Sequence, residues 1–415
     1  MLYDDDKPRK TGKRGTTEGA TVGVGQSFTD RRAVRNIRTS VLVVGGGISG
    51  LHTAASLHKA GIDCHLVEAR DRLGGRILSM SPPASLATEE RNSLHAVDLG
   101  PSWFWPEQPH MASLIRELHL GELVFEQYSE GDTIVEYGSG RVQRGVSSAS
   151  MAGSYRITGG MQALTNALAM SIDGHRVHVN APLTQLACND EGVEASIGDS
   201  ATKQTVSSDF VVLALPPRVV DATVQFLPPL SEGHHEQFRS VSTWMAEHAK
   251  FVAIYKSPFW RGAGLSGDAL SQRGPLTEIH DASPADGSFG ALFGFVGIPA
   301  QQRSGLVTEM ESLAVQQLGR LFGDSATKPI AVHYKDWAQD RFTATPVDSS
   351  SAKPRGLPEA LADSPWNGRI LFSGSETSRG RHHSNGYLEG AIESSMQSLQ
   401  ALKAALSQTR ANRGV

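Results

Sequence analysis

Hydrophobic positions near residue 40 follow one another in the order of a strand, a helix and a second strand. Four β-forming apolar residues at 41–44 indicate a strand buried on both faces, as in a parallel sheet. Residues 48–59 carry apolar side chains on one side at helical spacing, and residues 62–67 form a second apolar run that ends on Glu68. This order predicts a βαβ unit, in which a helix connects two parallel strands.

The segment MAEHAKFVAIYKSPFW, residues 245–260, alternates with the period of a strand. Its odd-numbered positions from Phe251 to Tyr255 share one face, and its even-numbered positions from Lys250 to Lys256 share the other. A Ser-Pro turn signal follows Lys256, so this lysine is expected to be exposed. For Lys250 the residues alone favour a solvated charge at the edge of the strand, because lysine is rarely buried unless it is paired.

A glycine-rich turn joins the predicted first strand to the helix. Gly45, Gly47 and Gly50 fill a GxGxxG pattern, in which the glycines allow a tight turn, close approach of a pyrophosphate, and helix–strand packing. The helix N-terminus offers free N–H groups to the phosphates. Glu68 follows the second strand, where an acid can accept hydrogen bonds from a ribose hydroxyl. The whole arrangement predicts a dinucleotide site.

Composition narrows the class of protein. A chain of 415 residues with 39% hydrophobic and 20% charged residues is typical of a globular protein of two or three domains. The net charge of −4 divides into +4 for residues 1–39 and −8 for the rest, which argues against nucleic acid as a partner. Two cysteines, Cys64 and Cys188, imply no disulfide framework and favour a reducing, cytoplasmic location. We expect neither a membrane span nor a metal site.

The stretch EARDRLGGR, which follows the second strand, extends the pattern so that it resembles a known protein family. Together with the glycine turn it resembles the opening of the flavin-containing amine oxidases, which are monoamine oxidase-like members of the FAD-binding glutathione-reductase-like superfamily. Similar stretches follow in the same order, among them DLGPSWFWPEQPHMASLIREL, YRITGGMQALTNALA, GRILFSGSETS and NGYLEGAIES. The resemblance covers nearly everything from Ser40 to Leu406.

The resemblance implies an α/β fold in which a Rossmann-like FAD-binding domain is interleaved with an α+β substrate-binding domain. FAD-binding segments are expected at 40–103, 176–243 and 363–410, and substrate-binding segments at 104–175 and 244–362. Residues 1–39 are expected to form a disordered basic tail.

The resemblance also implies which residues hold FAD. Glu376 would lie on the ribityl or pyrophosphate side, the backbone of Leu183 on the adenine side, and the N–H of Leu388 at the flavin C2 carbonyl. Without the resemblance, Glu376 is more simply a solvated loop acid. The implied FAD residues are Gly45, Gly47, Ile48, Ser49, Gly50, Glu68, Arg70, Gly75, Arg76, Pro101, Ser102, Leu183, Gly374, Glu376 and Leu388.

Catalytic residues are implied in the same way. The spacing Lys-x5-Lys-x-Pro-Phe-Trp-Arg puts Lys250 where the family's lysine reaches flavin N5 through a water, and an amine there stabilises the superoxide formed from O2. Tyr387 would be one wall of an aromatic cage around the substrate nitrogen, and Trp337 would pack near the flavin. The substrate cavity would be lined by Trp103, Trp105 and Phe295. Clustered aromatic residues are also common in ordinary cores, so packing is the alternative for each.

Three departures from the family pattern limit what can be carried over. Residues 343–347 contain neither the flavin-linking cysteine nor the second cage tyrosine of membrane-bound monoamine oxidases, so we expect non-covalent FAD and an incomplete or rebuilt cage. Trp103 stands where L-amino-acid oxidases carry a carboxylate-binding arginine, which favours an amine without an α-carboxylate. The loop before Tyr387 is about three residues longer than usual, and either contacts substrate or lies on the surface; it carries Arg379, Arg381, His382 and His383.

We therefore interpret the chain as a soluble FAD-dependent amine oxidase. It would oxidise an amine to an imine by hydride transfer to flavin N5, reduce O2 to H2O2, and yield an aldehyde or ketone after hydrolysis. The alternatives are an L-amino-acid oxidase or another C–N or C–C flavin oxidase on the same fold, and a non-catalytic FAD-binding regulatory protein. The expected partners are a small amine and O2, with a homodimer left open.

Overall fold

The computed structural model describes residues 37–86, 95–146, 151–199, 201–348, 365–379 and 384–413. Nineteen strands occur in these ranges: β1 Ile37–Val44, β2 Cys64–Val67, β3 Ser79–Met80, β4 Val97–Asp98, β5 Val124–Glu126, β6 Asp132–Glu136, β7 Val142–Val146, β8 Tyr155–Ile157, β9 Val177–His178, β10 Leu183–Asn189, β11 Gly192–Ile197, β12 Gln204–Leu213, β13 Gln225–Leu227, β14 Ala249–Tyr255, β15 Leu265–Ser271, β16 Leu276–Asp281, β17 Gly290–Val296, β18 Ala331–Asp336 and β19 Ile370–Phe372.

The same ranges contain ten α-helical segments, besides short 3-10 turns: α1 Ile48–Lys59, α2 Pro109–Glu117, α3 Gln162–Met170, α4 Pro217–Thr223, α5 Glu232–Ser240, α6 Phe259–Gly262, α7 Ala300–Arg303, α8 Val307–Phe322, α9 Pro365–Gly368 and α10 Leu388–Arg413. Within these ranges, none of the helices combines the length and the apolarity that crossing a membrane requires.

The first large sheet contains the predicted βαβ unit. Its eight strands follow the order β13-β10-β11-β12-β1-β2-β9, and β19 pairs with the end of β12. Strands β1, β2, β9, β12 and β19 run parallel, while β11 runs antiparallel to both of its neighbours. Apolar side chains of α1, α3 and α10 cover one face of this sheet, so the parallel strands are buried as their sequence predicts.

The first strand is longer than predicted and the second is shorter. Residues 37–39 belong to β1 and not to the predicted tail, because they pair in register with residues 206–208 of β12. The second strand begins at Cys64, two residues later than predicted. The rest of the predicted tail, 1–36, lies outside the described residues, as do Arg381, His382 and His383, while Arg379 is exposed.

The second large sheet has seven strands in the order β18-β14-β17-β16-β15-β6-β7. It is antiparallel except where β15 pairs with β6. The predicted alternation of β14 is confirmed, because Phe251, Ala253 and Tyr255 pack into a cluster with α8, while Val252 and Ile254 pack into a different one. Both faces of β14 are therefore buried, so Lys250, which shares a face with Val252, enters the interior of the protein.

Candidate active site

A cavity of about 360 Å³ is lined by residues of both large sheets and of the loops between them. All three predicted catalytic residues and the three predicted substrate-pocket residues line it: Lys250, Tyr387, Trp337, Trp103, Trp105 and Phe295. Twelve of the fifteen predicted FAD residues do so as well: Gly45, Gly47, Ile48, Ser49, Glu68, Arg70, Gly75, Arg76, Pro101, Ser102, Gly374 and Leu388. The cavity thus brings together residues from both ends of the described chain.

Three predicted FAD residues do not line this cavity. Leu183 packs in the apolar cluster on the other face of the first sheet, where its side chain is buried among β-strand residues. Gly50 lies directly beneath the glycine turn, where a methyl group in place of its hydrogen would overlap the Gly45 carbonyl oxygen. Glu376 contacts Arg76, and its carboxylate accepts a hydrogen bond from the Arg76 guanidinium.

The glycine turn leaves space and free N–H groups for a ligand. Gly45 has a φ of +109°, which a residue with a side chain rarely adopts. A methyl group at Gly47 would approach only Gly75 Cα, at 4.0 Å, so the space beside Gly47 is open. Helix α1 begins after Gly47 without a side-chain cap, which leaves its first N–H groups available to an anion.

Glu68 and Arg70 form the next part of the wall. The Glu68 carboxylate is buried and accepts hydrogen bonds from the Gly46 N–H at 2.6 Å and the Arg70 N–H at 2.9 Å. Arg70 donates from Nη2 to Asp340 Oδ1 at 2.6 Å and to Thr343 Oγ1 at 2.9 Å. Arg70 Nε is buried without a hydrogen-bond partner among the described residues, so one donor in this wall is free to meet a ligand.

The guanidinium of Arg76 forms a bidentate ion pair with a protein carboxylate. Arg76 Nη1 lies 2.6 Å from Glu376 Oε1, and Nη2 lies 2.9 Å from Glu376 Oε2. Burial raises the pKa of Glu376, but the charge and hydrogen bonds of Arg76 lower it more, so the net shift is downward. The pair joins the loop after β2 to the loop after β19, and both loops lie at the cavity.

Lys250 is buried at the cavity, which contradicts the solvated position that its sequence alone favoured. Its side chain is 3% exposed, and Nζ donates to Ser102 Oγ at 2.6 Å and to the Gly100 carbonyl at 3.1 Å. The amine also lies 3.8 Å from the centre of the Phe293 ring. Lys256, by contrast, is exposed as predicted.

The surroundings of Lys250 place its titration near neutral pH. Burial lowers the pKa of Lys250 to about 7, with Asp98 opposing the shift and Arg156 adding to it. Trp337 fixes the same stretch of backbone as Lys250, because its Nε1 donates to the Leu99 carbonyl at 2.9 Å. Residues 99–102 are thus held against both side chains along one side of the cavity.

Tyr387 faces a second aromatic ring that the sequence did not predict. Its ring centre lies 6.2 Å from that of Trp244, with 34° between the planes, and both residues line the cavity. Tyr387 is 42% exposed, so it is not an ordinary core tyrosine. Gly386 allows this pairing, because a methyl group there would overlap Trp244.

Other cavity residues also escaped prediction, among them Met245, His248, Glu278 and Phe342. Met245 has a φ of +61°, an uncommon conformation for a residue with a side chain, and it directly follows Trp244. The sequence feature that could have indicated Trp244 as a cavity residue is its position just before the strand that carries Lys250. No such feature indicated Glu278, because its position at the cavity depends on how the strands pair.

Comparisons with known proteins identify the family of the chain. Residues 145–400 match the family model "Flavin containing amine oxidoreductase", and residues 43–118 match "NAD(P)-binding Rossmann-like domain". The chain is 23% identical to putrescine oxidase of Kocuria rosea over 76% of this chain and 86% of that protein. It is 22% identical to amine oxidase [flavin-containing] B of Sus scrofa over 86% of this chain and 84% of that protein.

Solved structures show the same fold. A triple mutant of putrescine oxidase superposes with a TM-score of 0.73 at 20% identity, covering 89% of this chain and 100% of that chain. Cyclohexylamine oxidase from Brevibacterium oxydans gives a TM-score of 0.70 at 18% identity, covering 89% of this chain and 99% of that chain. The protein belongs to the flavin-containing amine oxidoreductase family, and is an FAD-dependent oxidoreductase with the fold of that family.

Proposed function

We propose that this protein oxidises the C–N bond of an amine to an imine and passes the two electrons and two protons to O2, which becomes H2O2. Water then converts the imine to an aldehyde or ketone and ammonia. The observation that carries this proposal is the convergence on one cavity of a dinucleotide-type glycine turn, the buried amine of Lys250 and the facing rings of Tyr387 and Trp244.

The residues around the glycine turn fit FAD. The open space beside Gly47, the uncapped start of α1 and the unpaired Arg70 Nε are suited to the phosphates and ribose of a dinucleotide. Neither Cys64 nor Cys188 lines the cavity, which supports non-covalent binding. When bound, the flavin supplies the acceptor for the two electrons of the amine and the donor to O2.

Tyr387 and Trp244 would hold the substrate amine. Two rings at 6.2 Å with 34° between their planes form a tilted pair that can flank an amine and exclude water from it. An amine gives up its electrons only in the neutral form, in which the nitrogen lone pair is free. Binding between the two rings would strip water from the amine, and this desolvation disfavours the ammonium ion.

Lys250 would assist the reaction of the reduced flavin with O2. Its Nζ donates two hydrogen bonds to fixed acceptors, Ser102 Oγ and the Gly100 carbonyl, and the third N–H of the ammonium form would hold a water or face O2. A positive charge fixed there before the reaction stabilises the negative charge that develops on O2.

We propose the predicted division of the chain for the two domains: 40–103, 176–243 and 363–410 for FAD, and 104–175 and 244–362 for substrate. In support, the first large sheet draws its strands from 37–67, 177–227 and 370–372, and the second from 132–146 and 249–336.

The cytoplasmic location and the homodimer stay predictions.

The proposed function can be tested by mixing the FAD-loaded protein with amines and amino acids. Under anaerobic conditions an amine substrate should bleach the visible absorbance of the flavin, and on admission of air H2O2 should appear in a peroxidase-coupled assay. Bleaching by L-amino acids alone would favour the amino-acid oxidase instead. If no amine or amino acid bleaches the flavin, the oxidase proposal is wrong.

Replacement of Trp244 tests the aromatic pair. We expect Trp244→Leu to slow anaerobic flavin reduction by about 10-fold, because one flat wall of the pair is lost and the amine is less well oriented. Trp244→Phe keeps a ring and should recover part of the rate. Equal rates in Trp244→Leu and the unmodified protein, at equal FAD content, would remove Trp244 from the site.

A further inference from the structure

A loop that follows the second large sheet reaches the end of the cavity that holds the glycine turn. Residues 337–343 come after β18 of the second sheet, whereas Glu68 and Arg70 come after β2 of the first. Glu68, Arg70, Phe342 and Thr343 all line the cavity, and Asp340 is not among the described residues that do. A ligand held at this wall would therefore meet residues supplied from both sheets.

Asp340 is the centre of the contacts that cross this wall. Its Oδ1 accepts hydrogen bonds from Arg70 Nη2 at 2.6 Å and from the Phe342 N–H at 3.1 Å, and its Oδ2 accepts one from Lys335 Nζ at 3.1 Å. Burial raises the pKa of Asp340, but the charges and hydrogen bonds of Arg70 and Lys335 lower it more, so the net shift is downward. An ionised carboxylate thus holds the Arg70 guanidinium from the side of the second sheet.

The Arg70 guanidinium lies between two carboxylates and is closer to Asp340 than to Glu68. Nη2 lies 2.6 Å from Asp340 Oδ1, while Nη1 lies 3.4 Å from Glu68 Oε1. Because an ion pair weakens with distance, the guanidinium is held mainly by Asp340. Glu68 accepts two backbone hydrogen bonds, from Gly46 and Arg70, and a carboxylate has about four acceptor sites, so it keeps capacity for a hydroxyl donor. Without Asp340, the guanidinium would turn to Glu68 and take up that capacity.

The same geometry leaves one N–H of Arg70 without a protein partner. Nη2 binds Asp340 and Thr343, and Nη1 approaches Glu68, but Nε is buried with no partner among the described residues. An unpaired buried donor on a charged group is costly, which indicates that an acceptor on a ligand completes it. The Phe342 ring, whose centre lies 5.4 Å from Arg70 Cζ, packs beside the guanidinium and restricts its movement.

We propose that Asp340 is a positioning residue for FAD, which holds the Arg70 guanidinium so that Arg70 Nε and the Glu68 carboxylate are both left for the cofactor. The inference rests on FAD as the cofactor and not on the reaction proposed above. The Asp340 N–H also donates to the Trp337 carbonyl at 3.1 Å, so the turn that positions Arg70 carries a predicted catalytic residue as well.

The test measures how fast the FAD-loaded protein releases its cofactor on dilution, with free and bound FAD separated by filtration. We expect Asp340→Asn to release FAD about 10-fold faster, because the amide keeps the shape but loses the charge that strengthens the hydrogen bond to Arg70. Asp340→Glu keeps the charge and should recover most of the retention. Asp324→Asn makes the same change at an exposed position and should release FAD at the original rate.

A double substitution separates positioning from a general loss of structure. In Arg70→Met the side chain that Asp340 positions is absent, so adding Asp340→Asn should accelerate release by less than about twofold. If Asp340→Asn accelerates release by the same factor with and without Arg70, Asp340 does not act through Arg70 and the inference is wrong.

Thr343→Val gives a second measurement if Asp340→Asn does not fold. It removes the other acceptor of Arg70 Nη2, which lies at 2.9 Å, and leaves the charge of Asp340 in place. We expect release to be about threefold faster, as the loss of a neutral hydrogen bond implies, and this effect too should disappear in Arg70→Met. An unchanged release rate in Thr343→Val or in Asp340→Asn overturns the inference.

The outcomes separate this inference from the proposed function, because release of FAD is measured without any amine. A protein that shows the expected release rates but oxidises no amine contradicts the proposed function alone. A protein that oxidises amines but releases FAD from Asp340→Asn no faster than before contradicts the role of Asp340 alone.

Discussion

Lys250→Met is expected to slow the reoxidation of reduced flavin by O2 by about 100-fold or more, while FAD remains bound. Removal of one fixed group that stabilises developing charge costs about this much in rate. Methionine has a similar length and fills the buried space, so the strand should stay folded, although the Ser102 hydroxyl and the Gly100 carbonyl lose their donor. Stopped-flow mixing of the reduced protein with O2 measures the effect.

The chain provides its own control for this substitution. Lys256→Met makes the same chemical change six residues away, at an exposed position just after the same strand. It should reoxidise at the rate of the unmodified protein. Equal reoxidation rates for Lys250→Met and Lys256→Met would mean that the buried amine is structural.

The pH profile of reoxidation should identify the protonated amine as the active form. Burial lowers the pKa of Lys250 to about 7, so the charged form dominates below this pH and the neutral form above it. The reoxidation rate should therefore fall as the pH rises through about 7. In Lys250→Met this step should be missing. A rate that instead rises through pH 7 would contradict a role for the ammonium charge.

Two alanine substitutions in the glycine turn should both weaken cofactor binding, but only one of them should destabilise the fold. At Gly50 a methyl group would overlap the Gly45 carbonyl oxygen, which must push α1 away from β1. We expect Gly50→Ala to lower the free energy of unfolding by about 3 kcal/mol or more, as severe overpacking does. FAD binding should be lost together with the fold of the turn.

Gly47→Ala separates the two effects. Gly47 has a φ of −74° and open space beside it, so alanine fits there and the apoprotein should unfold at nearly the same denaturant concentration. The added methyl group enters the space that a pyrophosphate would occupy, so the affinity for FAD should fall at least about 10-fold. Tight FAD binding by Gly47→Ala would show that the cofactor does not pass over this residue.

Local patterns predicted the elements that carry the site. Helix α1 begins and ends at the predicted residues. The alternation of β14 correctly separated the two buried faces, yet it did not predict that Lys250 is buried. Burial of a lysine depends on partners from distant segments, here Gly100 and Ser102, which no local pattern contains.

The residues that the sequence missed depend on long-range geometry. Trp244 reaches Tyr387 because Met245 adopts a positive φ and because Gly386 leaves room, two conditions set by contact between remote segments. Glu278 lies across from Lys250 only through the registers of two antiparallel pairs. Such registers are fixed by the packing of the whole sheet.

The ion pair between Arg76 and Glu376 has a consequence for the order in which the protein matures. The two partners are 300 positions apart, and the cavity also takes Gly374 and Leu388 from the late part of the chain. During synthesis the glycine turn leaves the ribosome long before these residues are made. The cofactor site is therefore completed only after the late segments have been synthesised, so FAD can meet the whole site only in a finished molecule.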